Sequence, residues 1–149
     1  MIKLSYEMPA DHSLPIALKR LSVQCKVQVG SAGSGGPNLS FKHPILDGIA
    51  LVDTGSSMCT IGSRMIPVGS IPVALSKMAV NVGGQAEEKP VYRCRLMFPG
   101  HPTTIELDCI RQDAGGLGCD LVLGTPFLSL GRLIYDAARG DSHFSIHPK

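Results

Sequence analysis

At 149 residues, 44% of them hydrophobic and 17% charged, the chain has the length and apolar content of one globular domain. A formal net charge of only +2, with its lysines and arginines dispersed, argues against a nucleic-acid or membrane-binding surface. Aromatic residues are 5% and Trp is absent, which leaves little material for a base-stacking platform, while 17 glycines and 11 prolines favour strands and turns over long helices.

Residues 1–20 mix polar and apolar positions around Pro9 and Pro15, a pattern expected of an extended N-terminal arm that contacts a partner. Lys3, Glu7, Asp11, Lys19 and Arg20 leave no long apolar segment there, so no signal peptide is expected. Five cysteines, Cys25, Cys59, Cys94, Cys109 and Cys119, are odd in number, widely spaced, and free of any Cys-x-x-Cys pair. They read as reduced core thiols of a cytoplasmic protein. No metal site and no cofactor is expected.

Leu21, Val23, Cys25, Val27 and Val29 alternate strictly with Ser22, Gln24, Lys26 and Gln28, the mark of a half-buried strand. Residues 30–40 form a glycine-rich insertion; it lacks the Lys-Ser/Thr of a phosphate-binding loop. After a turn at Pro44–Gly48, the apolar run Ile49-Ala50-Leu51-Val52 delivers Asp53 onto the small-residue turn Thr54-Gly55-Ser56-Ser57. A buried strand that stops at an acid points to catalysis.

Met58–Ile61 resume the apolar pattern, and Pro67, Gly69 and Pro72 exclude a long helix before Ala74. Met78–Val82 then enter a hairpin whose two-residue turn, Gly83-Gly84, suits positive φ at both positions. Tyr92, Cys94, Leu96 and Phe98 alternate with Arg93, Arg95 and Met97, and Thr104–Ile110 repeat the pattern. Arg93 or Arg95 is therefore expected to pair across strands with Asp108 or Glu106. A second informative stretch, Leu121-Val122-Leu123-Gly124-Thr125-Pro126-Phe127-Leu128, is an apolar strand ending in glycine and a short helix. Thr125 is expected to cap that helix, with Pro126 at its first position. Arg132–Asp136 and His143–Ile146 read as a closing hairpin; its Arg139-Gly140-Asp141 suits a hairpin tip better than adhesion.

Asp53-Thr54-Gly55 after an apolar strand, a glycine-tipped hairpin, and Leu123-Gly124 before a short helix follow one another in an order that resembles the retropepsin-like aspartic proteases. The resemblance, over roughly residues 21–147, implies an all-β fold: a closed β-barrel with a flap hairpin and one short helix near the C-terminus. It implies a homodimeric endopeptidase acting on polypeptides, because no second Asp-Thr-Gly or Asp-Ser-Gly occurs in the chain. Asp53 would be the catalytic acid, and Thr54 would reach the other copy's loop. Gly55 would take a conformation a side chain opposes and bring its amide to the carboxylate, and Ser56 or Ser57 would add a supporting hydrogen bond. Val82, Gly83 and Gly84 would fold over the substrate, and Leu123 and Gly124 would cross the Asp53 loop. A non-catalytic dimerisation or peptide-binding module is the alternative. A phosphate-transferring aspartate enzyme expects Asp-x-Asp, and Gly55 occupies the second acid's place.

Overall fold

The computed structural model describes residues 1–7, 20–33, 38–113, 118–136, 138–139 and 141–148. Its strands are β1 (Ile2–Glu7), β2 (Arg20–Val29), β3 (Ser31–Ala32), β4 (Leu39–Ser40), β5 (Leu46–Val52) and β6 (Cys59–Ile61). They continue with β7 (Ser76–Val82), β8 (Gln85–Met97), β9 (Thr104–Arg111), β10 (Leu121–Leu123), β11 (Gly131–Asp136) and β12 (Asp141–Ile146). Among the described residues, one α-helix, α1 (Thr125–Leu128), lies between β10 and β11, and a 3-10 turn spans Ser63–Met65.

Ten strands form one mixed sheet in the order β11-β12-β1-β2-β5-β10-β6-β9-β8-β7, and β3 pairs with β4 separately. The long strand β2 bends the sheet back on itself. Leu21–Val27 pair with β5, while Lys26–Val29 pair with Cys94–Met97 of β8. Six strands, β2, β5, β10, β6, β9 and β8, are thereby linked in a ring, and the two ends of the sheet extend beyond it. Alternation is what makes this possible: Leu21, Val23, Cys25, Val27 and Val29 all turn to the inside and are at most 7% exposed. Each such buried Val or Leu contributes about 1.5–3 kcal/mol.

Of the stretch expected as an arm, the first part is strand β1, held between β2 and β12. Ile2 and Leu4 are each 2% exposed and belong to the main core, so this segment does not project. Residues 8–19 lie outside the described residues, as do 34–37 of the glycine-rich insertion. What is described of that insertion includes the β3–β4 pair and its attachment to Val73, whose carbonyl accepts from the Ala32 amide and whose amide donates to Ser31 Oγ.

Phe127 of α1 and Phe144 of β12 are fully buried with ring centroids 4.5 Å apart, and Phe98 lies 5.9 Å from Phe127. This aromatic trio ties the helix to the terminal strands. A smaller cluster, Val80, Val91 and Ile110, joins the β7–β8 hairpin to β9, with Met58 packed against it. The cross-strand charges fall as the alternation predicts: Arg93 pairs with Asp108, and Arg95 with Glu106 at 2.9 Å.

Candidate active site

Strand β5 carries the chain from the sheet interior to its rim. Ala50, Leu51 and Val52 are buried, and the next residue, Asp53, is half-exposed. Its amide donates to Leu123 O at 3.0 Å, which holds the residue at the end of the parallel β5–β10 pair, where Leu123 faces Val52. The chain then turns: the Ser56 amide donates to Asp53 O at 3.3 Å, and the Gly55 amide donates to Asp53 Oδ1 at 2.9 Å. Thr54 and Ser57 are exposed.

The geometry corrects one expectation about this turn. Gly55 is not among the residues with positive φ, so its glycine identity reflects proximity: a Cβ there would sit 3.3 Å from Asp53 Oδ1. The Ser56 hydroxyl donates to Met58 O at 2.8 Å and so closes the far side of the loop.

Gly124 passes directly against this loop. A Cβ at that position would lie 2.3 Å from Met58 O and 2.5 Å from Ser56 O, both backbone atoms, so only glycine fits the crossing. The following residue completes the attachment. Thr125 does not cap α1: the helix begins at Thr125 itself, Gly124 occupies the cap position with no side-chain bond, and Pro126 is the second helical residue. The Thr125 amide and hydroxyl instead both donate to Ser56 O, at 2.9 and 3.0 Å. A local capping bond was displaced by a contact with a residue 69 positions away.

Sequence reasoning missed Asp120 and Arg64. Arg64 Nε and Nη2 donate to Asp120 Oδ1 and Oδ2 at 2.8 and 2.6 Å, a two-point ion pair, and the Ile49 amide donates to Oδ2 at 2.9 Å. The Asp120 backbone joins in, donating to Ile49 O and accepting from Gly62. One residue thus clasps the start of β10 to the strand that ends at Asp53. The Arg64 guanidinium and then the Ile49 amide hold the Asp120 carboxyl below the usual carboxylate range, against the opposing pull of burial. Only the position of Asp120 just before an apolar strand hinted at this role.

The predicted hairpin is present, with Val82 opposite Gln85 and Gly83 and Gly84 at φ 58° and 84°. A Cβ built at either glycine would meet nothing within 4 Å. The base of the hairpin is tied to the Asp53 loop, since Met58 packs against the cluster of Val80, Val91 and Ile110. The structure therefore brings Asp53, Gly55, Ser56, Leu123 and Gly124 together.

Asp47, Asp108, Asp113, Asp120 and Asp136 are engaged elsewhere, with Lys26, Arg93, Ser63, Arg64 and Arg139 respectively. A concavity of about 950 Å³ lined by Arg95, His101, Glu106 and His147 does not include Asp53, nor does a second of about 370 Å³ beside Arg64 and Asp120. Among the described residues no group of three or more His, Cys, Asp or Glu side chains is arranged to hold a metal ion. No helix among them is long and apolar enough to cross a membrane. Comparison with protein-family models and with curated proteins finds no match.

Proposed function

We propose that this chain is one half of a retropepsin-like aspartic endopeptidase, with the fold of that family and with Asp53 supplying one of two catalytic carboxylates. The observation that carries the reading is the Gly124 crossing. An ordinary Asp-Thr-Gly turn needs no second segment threaded against it, whereas this one is fixed from both sides by Leu123 O, the Gly124 backbone and Thr125.

A single half-exposed carboxylate is a weak catalyst of peptide hydrolysis. Two copies related by a two-fold axis would set Asp53 beside Asp53, and two like charges so close cannot both ionise, so the pair shares a proton. The ionised member takes a proton from water as its oxygen attacks the scissile carbonyl carbon. The protonated member hydrogen-bonds to the carbonyl oxygen, and the proton passes to the leaving amine as the C–N bond breaks. Thr54, exposed next to Asp53, is the residue available to bridge the two loops. The glycine-tipped hairpin would close over the bound polypeptide and exclude water.

The test is cleavage of casein or a peptide library between about pH 4 and 7 by the wild type and by Asp53→Asn. Turnover in the wild type and none in the variant supports the reading. Equal turnover in both, or none in either at protein concentrations where the chain is dimeric, favours the non-catalytic binding module.

A further inference from the structure

Arginines of this fold meet their acids in two ways. Arg64 gives Nε and Nη2 to Asp120, and Arg93 gives Nε and Nη2 to Asp108. Arg95 gives only Nε, to Glu106 Oε1 at 2.9 Å, and among the described residues neither of its Nη nitrogens has a hydrogen-bond partner. Its guanidinium is nonetheless held in place. Cζ stands 3.7 Å from the centroid of the Phe41 ring, and the Phe41 backbone is anchored in turn, because Gln28 Nε2 donates to Phe41 O at 3.1 Å and to His43 O at 3.0 Å. Gln28 lies opposite Arg95 in the β2–β8 pairing.

Arg95 lines the concavity of about 950 Å³ described above, which takes in β8, β9 and the chain at both ends of the β11–β12 hairpin. The Thr103 amide donates to His101 Nδ1 at 3.2 Å, so the His101 ring carries its proton on Nε2 and is a donor there. The His147 side chain, also on the lining, has no hydrogen-bond partner among the described residues. Glu106 is the one acid of the lining, and it already receives Arg95. Unspent donors therefore outnumber acceptors, which calls for a ligand that brings acceptor oxygens. Met97, Leu130 and Ile146 add apolar surface beside them, which calls for one that also brings an apolar body.

We propose that this concavity binds a carboxylate carried on an apolar body, with the two oxygens on the Nη1–Nη2 edge of Arg95 and the body against Met97, Leu130 and Ile146. The planar fork of a guanidinium matches a carboxylate in geometry as well as charge, and the Glu106 bond and the Phe41 ring restrain it before the ligand arrives, so little side-chain freedom is lost on binding. Fatty acids and the free C-termini of apolar peptides share this chemistry. No residue of the Asp53 loop lines the concavity, so the site is independent of the protease reading.

The experiment titrates the wild-type chain, by calorimetry and by nuclear magnetic resonance, with two pairs of probes: octanoate against 1-octanol, and acetyl-Ala-Leu-Phe as its free acid against its amide. At least one acid is expected to bind saturably and about tenfold or more tighter than its uncharged counterpart, and to shift the Arg95 Nε–H resonance. Octanoate alone would make the ligand a fatty acid, the peptide acid alone a peptide terminus, and both the shared chemistry; each supports the site. Arg95→Lys keeps the charge and loses the fork, so it should weaken the acid about tenfold with the melting temperature as the control for folding. Phe41 acts through Arg95 as a positioning residue: Phe41→Leu should weaken the acid about threefold and move the Arg95 Nε–H resonance, and Phe41→Tyr should restore both. Should Arg95→Lys fail to fold, the acid and uncharged probes on the wild type still decide. No saturable binding of either acid, equal binding of acid and uncharged counterpart, or full affinity in a folded Arg95→Lys variant overturns the site. Inorganic phosphate binding as tightly as octanoate overturns the apolar body.

Discussion

Thr125 gives both its hydroxyl and its amide hydrogen to the carbonyl of Ser56, at 3.0 and 2.9 Å, and so fixes the back of the turn that bears Asp53. The hydroxyl bond is exposed and worth about 1 kcal/mol. On the proposed function its positional effect is larger, because small displacements of a catalytic group lower rates steeply. Thr125→Val is expected to reduce urea stability by about 1 kcal/mol and peptide turnover about tenfold, and Thr125→Ser to restore both. A Val variant with full turnover would remove Thr125 from the positioning of the loop.

Gly124→Ala tests the crossing itself. The new methyl group would press on two backbone carbonyls at 2.3 and 2.5 Å, and neither can swing aside as a flexible side chain would. Overpacking of this kind costs roughly 3 kcal/mol or more. The expected result is a large fall in the denaturation midpoint and, on the proposed function, loss of cleavage. Wild-type stability in that variant would mean that the loop and the strand can separate freely.

Where local pattern and tertiary contact agree, the sequence was readable. The alternation of Leu21–Val29 predicts β2, and the opposed charges of two alternating strands predict Arg93–Asp108 and Arg95–Glu106. Where a distant partner outbids a local one, it was not. Thr125 followed by Pro126 has the chemistry of a helix start, yet its hydroxyl goes to Ser56 because the Asp53 loop presents a carbonyl at bonding distance. Arg64 and Asp120 are 56 residues apart, and nothing in either neighbourhood announces the pair. In β1, Ile2 and Leu4 alternate with Lys3 and Ser5, a signal overshadowed by the prolines that follow.

The Arg64–Asp120 clasp gives the fold an acid limit. Asp120 has a folded-state pKa below its unfolded value of about 4, so it binds fewer protons when folded. Its stabilisation is therefore complete above about pH 4 and is lost as pH falls through the depressed folded value. The wild type is expected to lose stability more steeply below pH 4 than Asp120→Asn, which lacks this ionisation and is weaker at neutral pH by about 1–2 kcal/mol. Denaturation midpoints of the two proteins from about pH 2 to 7 should converge at the acid end. Parallel curves would show that the clasp contributes nothing to acid sensitivity.

Four of the thiols should be inert in the folded protein. Burial pushes Cys25 up to about 12, and Cys59 is raised chiefly by burial; in Cys109 the hydrogen bond with Cys94 leads and burial follows. Cys94 is itself fully buried. Thiolate is the reactive form. Iodoacetamide at neutral pH is expected to leave Cys25, Cys59, Cys94 and Cys109 unmodified until denaturant is added, as read by peptide mass mapping. Rapid native labelling of any one of them would place it outside the core.

The hairpin tip should separate local from global stability. Gly83 and Gly84 hold φ of 58° and 84°, where a side chain costs about 1–2 kcal/mol per residue, but both face open space and contact no core residue. The strain introduced by Gly83→Ala with Gly84→Ala can be relieved by fraying the end of the hairpin, as far as Val80, which is anchored on Val91 and Ile110. Amide exchange at Asn81, Val82 and Gln85 is therefore expected to accelerate at least tenfold, while the whole-domain melting temperature moves by no more than a few degrees. On the proposed function, turnover of a peptide should fall with the same substitutions, because the segment that would close over the substrate loses its fixed geometry. A drop in melting temperature as large as that of Gly124→Ala would instead make the tip part of the cooperative core, and unchanged turnover would separate the hairpin from the reaction.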